Sequence, residues 1–422
     1  MTISRRDSLK IGLGATGAVG GLLGPTRWAA AATTQGAAPT PVKLPGLLAA
    51  TEPESSETLN PLPPERRVRF AIVGLGHLAL NEILPAFAES KQCRPTALVS
   101  GNAAKAATVA AQYGIDGKHV YDYQTFDRLR DDPEVDVVYV VLPNSMHAEY
   151  TVRAFGAGKH VLCEKPMAVS VAECQQMLAA GQKAGRHLMI AYRLQYEPFN
   201  REAIRLARAG EIGKLRSLSA VNGQSQGDPN QWRLRKALAG GGSLPDVGIY
   251  CVNAARYLSG EEPMLVSGMV TSTPNDPRFK EVEEQVDFIL RFPSGFVASC
   301  TSSYGFHDAK RFRLIGTSGW LEMDPAFPYR GQTLKVARKP NHDGPEVIEQ
   351  RMLSPKNHFA AEMDHMATCV LQNKKPHTPG EEGLQDQRII GAIYESARVG
   401  RAVQLAAPSP TRASSETETR KM

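Results

Sequence analysis

Val68-Arg69-Phe70-Ala71-Ile72-Val73-Gly74-Leu75-Gly76-His77-Leu78-Ala79 is an apolar run that ends in Gly-x-Gly-x-x-Ala and passes straight into a helical pattern carried by Asn81, Ile83, Leu84 and Phe87. A run of that length suits one buried parallel strand, and the turn behind it reads as a dinucleotide-binding turn. Gly74 permits the tight turn, Gly76 lets the main chain approach a pyrophosphate, and Ala79 is small enough for close helix–strand packing. The following helix offers its free N–H groups and positive dipole end to the phosphates.

The chain downstream supplies the context this turn needs. Strand patterns at 68–73, 95–99, 119–121, 135–142, 160–163 and 188–192 alternate with helical patterns at 77–89, 103–112, 124–131, 145–157 and 170–184. Alternation at this spacing implies βαβ crossovers and a doubly wound parallel sheet, a Rossmann domain over residues 68–192. From Arg193 the rhythm changes. A helix (198–209) and the stretch 232–239 precede the segment Gly240-Gly241-Gly242-Ser243-Leu244-Pro245-Asp246-Val247-Gly248-Ile249-Tyr250. Strand patterns follow at 264–272, 284–292, 295–303, 311–316, 319–323 and 333–337, and helices at 358–372 and 381–399 close the chain. The expected fold class is therefore α/β, a Rossmann sheet plus an α+β domain (193–405) with an open, mostly antiparallel sheet.

The end of the second strand bears on the cofactor. An Asp or Glu about 20 residues after the glycines binds the ribose 2′-hydroxyl of NAD. Here the chain reads Leu98-Val99-Ser100-Gly101-Asn102-Ala103-Ala104-Lys105, with no carboxylate to repel a 2′-phosphate, a hydroxyl at Ser100 and a cation at Lys105. That favours NADP. Two loops fall at strand ends, where open α/β sheets bind ligands: Leu142-Pro143-Asn144-Ser145-Met146-His147 and Cys163-Glu164-Lys165-Pro166.

Asp246 and Tyr250, four apart on a helical pattern, share one face. A phenol exchanges protons near neutrality only with help, and an adjacent ammonium such as Lys165 would stabilise its phenolate. Spacing alone leaves open a plainer arrangement, in which Tyr250 packs into the core and Asp246 serves the helix N-terminus.

The ends of the chain carry other signals. Ser4-Arg5-Arg6-Asp7-Ser8-Leu9-Lys10, a short Gly-rich apolar stretch to Leu23 and Ala29-Ala30-Ala31-Ala32 have the form of a twin-arginine export signal over residues 1–32. Its apolar part is too short for a stable membrane anchor. The expected location is the periplasm, reached as a folded protein through the twin-arginine machinery. Residues 33–67 hold seven prolines and form an extended arm, either a spacer or a strap over the nucleotide or a neighbouring subunit, and residues 406–422 form a disordered tail. The six scattered cysteines, without CxxC spacing, suggest reduced core residues and no metal site. With 49 basic and 43 acidic residues and no basic block interleaved with aromatics, nucleic-acid binding has no support.

Gly74-Leu75-Gly76, Leu142-Pro143-Asn144-Ser145 with His147, Cys163-Glu164-Lys165-Pro166, Met189-Ile190-Ala191-Tyr192-Arg193, Gln231-Trp232-Arg233-Leu234-Arg235, the 240–250 segment and Pro379-Gly380-Glu381-Glu382-Gly383 together resemble the Gfo/Idh/MocA oxidoreductase family. The resemblance implies a non-dissociating NADP that shuttles hydride between two sugars. One aldose is oxidised at C1 to a lactone, and a second sugar, ketose or aldose, is reduced to an alditol. It implies Lys165, Asp246 and Tyr250 as catalytic residues, with Tyr192 and Arg193 also near the substrate. Its cofactor-binding set is Gly74, Leu75, Gly76, His77, Leu78, Ser100, Lys105, Tyr123, Leu142, Pro143, Asn144, His147, Glu164, Lys165, Arg193, Trp232 and Arg233. It further implies a homo-oligomer, a dimer or tetramer, built on the open sheet face. His77 stands where the family places a lysine, and segment 222–230 is shorter than in fructose-reducing members, which leaves the acceptor sugar open. Two other activities remain: a sugar dehydrogenase with exchangeable NADP, and an NAD-dependent glycoside hydrolase on the same fold.

Overall fold

A computed structural model describes residues 61–339 and 344–406. The expected export signal, most of the arm and nearly all of the tail lie outside the described residues. The arm's last residues form a short 3-10 turn, Pro64–Arg66, and Leu62 donates its N–H to Lys91 O at 2.8 Å.

Six strands, β1 (Val68–Val73), β2 (Cys93–Val99), β3 (Val120–Tyr121), β4 (Val137–Val140), β5 (His160–Glu164) and β6 (Leu188–Ala191), form one sheet in the order β3-β2-β1-β4-β5-β6. Every pairing in it is parallel. The order is that of a doubly wound dinucleotide fold, with the reversal between β1 and β4. Alternate residues of β1 serve opposite cores. Phe70 and Ile72 meet helix Ala103–Tyr113, whereas Ala71 and Val73 face helices His147–Gly156 and Val171–Ala184. The stretch at 124–131 is a 3-10 helix, Phe126–Asp131, and not an α-helix.

The second sheet has nine strands. In chain order they are β7 (Leu215–Ser225), β8 (Leu265–Thr271), β9 (Gln285–Arg291), β10 (Val297–Ser303), β11 (Gly305–Gly316), β12 (Gly319–Met323), β13 (Leu334–Arg338), β14 (Val347–Arg351) and β15 (Val403–Gln404). They are ordered β14-β13-β12-β11-β7-β10-β9-β8-β15. All pairs are antiparallel except β7 with β10. Sequence patterning missed β7, β14 and β15. β7 holds a central place, yet its Ser217, Ser219 and Asn222 interrupt the apolar run that a buried strand usually shows.

Helix His358–Gln372 lies late in the chain yet packs on the first sheet, with Phe359, Met363 and Met366 in the same core as Phe70 and Tyr139. Met189 of β6 bridges to Pro379. The nucleotide-binding half is thus completed from the C-terminal part of the chain. All six cysteines are buried. No helix among the described residues is long and apolar enough to cross a membrane.

Candidate active site

Because the first sheet is parallel, the ends of β1, β2, β4, β5 and β6 open on one edge. There they meet the ends of β7 and β10 and the helical segment 244–259 from the second domain. Between them lies a cleft of about 880 Å³.

At one end is the glycine turn. Gly74 has φ +97°, and a Cβ there would lie 2.2 Å from Val141 O, so no other residue fits. A Cβ on Gly76 would touch nothing. Protein packing therefore does not require this glycine, and the open space before it is what a pyrophosphate lying against the main chain needs. Next to it, Ser100 Oγ accepts Asn102 N–H at 3.2 Å, which leaves its own proton free to donate. Lys105 Nζ reaches back to Leu75 O at 3.3 Å, so its ammonium stands beside the turn. Ser100, Asn102, Lys105 and Tyr123 line this end, and among the described residues no carboxylate does. The donor set fits a dinucleotide bearing a 2′-phosphate.

The loops after β4 and β5 are braced. Asn144 donates to Ala239 O at 2.9 Å, tying the first domain to the second. The His147 ring nitrogens sit 2.8 Å from Pro166 O and 2.9 Å from Leu142 O. Burial lowers its pKa despite those carbonyls, and a neutral ring can donate to only one of them. His147 therefore joins two loops and offers no nitrogen to a ligand.

At the other end, Lys165 Nζ donates to Asp246 O at 2.7 Å and to Asp246 Oδ1 at 3.2 Å. The carboxylate also pairs with Arg233 Nε at 3.2 Å and accepts the Tyr304 hydroxyl at 2.8 Å. Burial alone would raise the Asp246 pKa, but Lys165, Arg233 and Tyr304 outweigh it and hold it at about 2. Burial likewise pulls the Lys165 ammonium down, and Tyr250, Asp246 and Glu164 together raise it above the ordinary value. Both groups are charged at neutral pH.

Lys165 does not hydrogen-bond the Tyr250 phenol oxygen. It stands over the ring, 4.7 Å from the centroid. The phenol oxygen instead accepts Arg193 Nη2 at 3.2 Å. Arg193 is buried and also donates to Phe327 O at 2.6 Å and Pro328 O at 3.2 Å, so it fixes Tyr250 and the 327–329 loop together. The sharp turn that carries Asp246 is itself clamped. Glu283 accepts the N–H groups of Gly242 and Leu244 at 2.8 and 3.1 Å and the Tyr394 hydroxyl at 2.8 Å. A Cβ on Gly242 would strike Glu283 O at 2.1 Å.

Of the residues the sequence singled out, Gly74 to Leu78, Ser100, Lys105, Tyr123, Leu142, Pro143, Asn144, His147, Glu164, Lys165, Arg193, Trp232, Arg233, Asp246 and Tyr250 all line the one cleft. Tyr192 does not. It is 4 % exposed and part of the main apolar core, so its placement is that of a core residue rather than one touching substrate. Gln224 and Gln226, from the 222–230 segment weighed for the acceptor sugar, line the cleft too, whereas Tyr304, Lys310 and Tyr329 were missed. Tyr304 closes β10 beside a carboxylate 58 positions earlier in the chain, and no local pattern signals such a contact.

A phosphate turn facing a lysine–carboxylate–tyrosine set across one cleft defines a class, the nucleotide-dependent oxidoreductases. Residues 68–192 match the model of an oxidoreductase family with an NAD-binding Rossmann fold, and 200–322 match the GFO/IDH/MocA C-terminal domain. D-xylose 1-dehydrogenase [NADP(+)] of Haloarcula marismortui is 33 % identical over 359 residues, covering 83 % of this chain and 95 % of its own. D-xylose 1-dehydrogenase (NADP(+)) 2 of Haloferax volcanii is 32 % identical over 80 % of this chain and 99 % of its own. The crystal structure of aldose-aldose oxidoreductase from Caulobacter crescentus complexed with glycerol is 49 % identical, with a TM-score of 0.77 over 81 % of this chain and 100 % of that one. The chain belongs to the GFO/IDH/MocA oxidoreductase family.

Proposed function

We propose that this protein is a sugar oxidoreductase that retains NADP, oxidises an aldose at C1 to the lactone and reduces a second sugar to the alditol. The observation that carries the reading is the cluster of Lys165, Asp246, Tyr250 and Arg193 at the opposite end of one cleft from a turn suited to a 2′-phosphorylated dinucleotide. NADP bound along Gly74–His77 would accept and return the hydride. The ionised Asp246 orients sugar hydroxyls, and its grip on Lys165 keeps the ammonium over the Tyr250 ring. The Tyr250 oxygen, aimed by Arg193 and with the Lys165 and Arg193 cations beside it, would take the proton from the C1 hydroxyl as the phenolate and, now the neutral phenol, return it to the acceptor sugar. Polar side chains at the cleft wall, Asn222, Gln224 and Gln226, suit a polyhydroxylated substrate.

The name and 49 % identity of the Caulobacter protein support an aldose as both donor and acceptor. The two xylose dehydrogenases support the second reading, a dehydrogenase with exchangeable NADP. The twin-arginine pattern supports a periplasmic location, where a retained cofactor would be needed, and the solvent face of the nine-stranded sheet would join subunits. The test is to denature the purified mature protein without added cofactor and assay the released NADP(H), alongside turnover with glucose and an acceptor sugar. Stoichiometric NADP with equal lactone and alditol is expected. A protein that works only when NADP is supplied supports the dehydrogenase instead.

A further inference from the structure

Behind Lys165 is a polar group that the reaction described above does not use. Tyr139, in the middle of β4 and fully buried, has its hydroxyl 2.9 Å from Glu164 Oε1 and 3.2 Å from Glu362 Oε1. Glu164 ends β5; Glu362 comes from helix His358–Gln372, 223 residues from Tyr139. A phenol has one proton and can donate it to one carboxylate only. The second carboxyl at hydrogen-bond distance must therefore bring its own proton, or two lone pairs would face each other.

Three features decide which carboxyl is neutral. Glu164 has a second donor, the Lys165 N–H at 3.3 Å to Oε2, and is next in sequence to the Lys165 ammonium. Glu362 has no exposure, and its Oε2 has no hydrogen-bond partner. An unpartnered carbonyl oxygen of a neutral acid costs far less in the interior than an unpartnered carboxylate oxygen. The other charged and titratable groups around the pair are Arg193, whose charge favours the anion on both acids, and His358, one turn earlier on the helix of Glu362, which burial and Arg193 hold neutral with a pKa of about 2. Burial raises both acids, and the nearby Glu164 charge pushes Glu362 further up.

We infer that Glu362 is held as the neutral acid and donates to Tyr139, so that Glu362, Tyr139 and Glu164 together carry a single negative charge, placed on Glu164 beside Lys165. Glu362 is then a positioning residue. Its proton frees the Tyr139 hydrogen for Glu164, keeps a second charge out of the core and preserves the anion that helps hold Lys165 protonated.

The test is infrared spectroscopy of the purified protein with its cofactor as isolated, at about pH 8, above the value of about 6 to which Asp386 is raised. A protonated-carboxyl stretching band is expected in the wild type, lost in Glu362→Gln and kept in Glu164→Gln. The pH profile of turnover separates the pair further. Glu362→Gln, an amide replacing a neutral acid, leaves the alkaline limb in place. Glu164→Gln moves it to lower pH, because Lys165 loses an anionic neighbour. Absence of the band from the wild type overturns the inference without reference to any variant, as does a band that survives Glu362→Gln. A Glu362→Gln alkaline limb displaced like that of Glu164→Gln also overturns it. The infrared result does not depend on which sugars the enzyme uses, so it fails or stands apart from the proposed activity.

Discussion

Replacing Asp246 with Asn removes the charge on which the catalytic end of the cleft is built. One carboxylate oxygen takes Lys165 Nζ, and the other takes Arg233 Nε and the Tyr304 hydroxyl. An amide keeps one acceptor and turns two N–H groups toward donors on the other side. The carboxyl sits at about 2 against an ordinary 3.8. At about 1.36 kcal/mol per pKa unit, its surroundings favour the anion by about 2 kcal/mol. Because the folded value is the lower one, this stability is present in full above the unfolded value of about 4 and is lost as pH falls through the folded value of about 2. Urea unfolding of Asp246→Asn should therefore show a deficit of about 2 kcal/mol at pH 7, shrinking as the pH is taken below about 4. Other carboxylates titrate in both proteins alike, so the difference isolates this one. Turnover should fall about 10- to 100-fold, the equivalent of one charged hydrogen bond lost from the transition state. Equal stability at pH 7, or a gap that does not narrow in acid, would refute the reasoning.

Tyr250→Phe deletes the hydroxyl proposed to exchange the proton but keeps the ring under Lys165 and Arg193; turnover should drop about 10²- to 10⁴-fold with cofactor content unchanged, read by assaying released nucleotide. Gly74→Ala places a Cβ against Val141 O at positive φ, so the purified protein should carry little NADP and lose about 1–3 kcal/mol in urea unfolding. Lys105→Glu puts a carboxylate where the 2′-phosphate is expected; nucleotide binding measured by calorimetry should shift away from NADP by more than about tenfold relative to NAD, and an unchanged ratio would remove Lys105 from the cofactor site.

The first sheet was legible because its signal is local. Apolar runs such as Val68–Val73 are buried on both faces, and each ends in a turn with its own chemistry. The second sheet was less so, since β7 alternates with serines and asparagine, and the β14 segment Val347–Arg351 is largely exposed. Residues on strand-end turns could be placed in the cleft from spacing, whereas the roles proposed for Lys165, Asp246 and Tyr250 came from the family resemblance. Tyr192 entered the expected set with Arg193 through the family resemblance, and its side chain lies in the core. The peptide after β6 turns there, so consecutive side chains diverge, one into the core and one into the cleft. What stayed hidden is contact between distant segments, such as Tyr304 with Asp246 and Glu283 with Gly242.

That division follows from how the catalytic end is assembled. Lys165 comes from the first sheet, Asp246 and Tyr250 from the helical segment of the second domain, and Tyr329 from the loop before β13. Arg193, at the junction, donates to the Tyr250 hydroxyl and to the carbonyls of Phe327 and Pro328, so one buried guanidinium sets the distance between these parts. Geometry fixed in this way depends on both domains and on helix His358–Gln372 being in place at once. A polar set gathered from several elements is satisfied only in the complete fold, since any missing element leaves a buried charge unpaired. The cost of an incomplete assembly therefore falls on Lys165, Asp246 and Arg193 themselves, and the pairing on which the proposed chemistry relies also ties the two domains together.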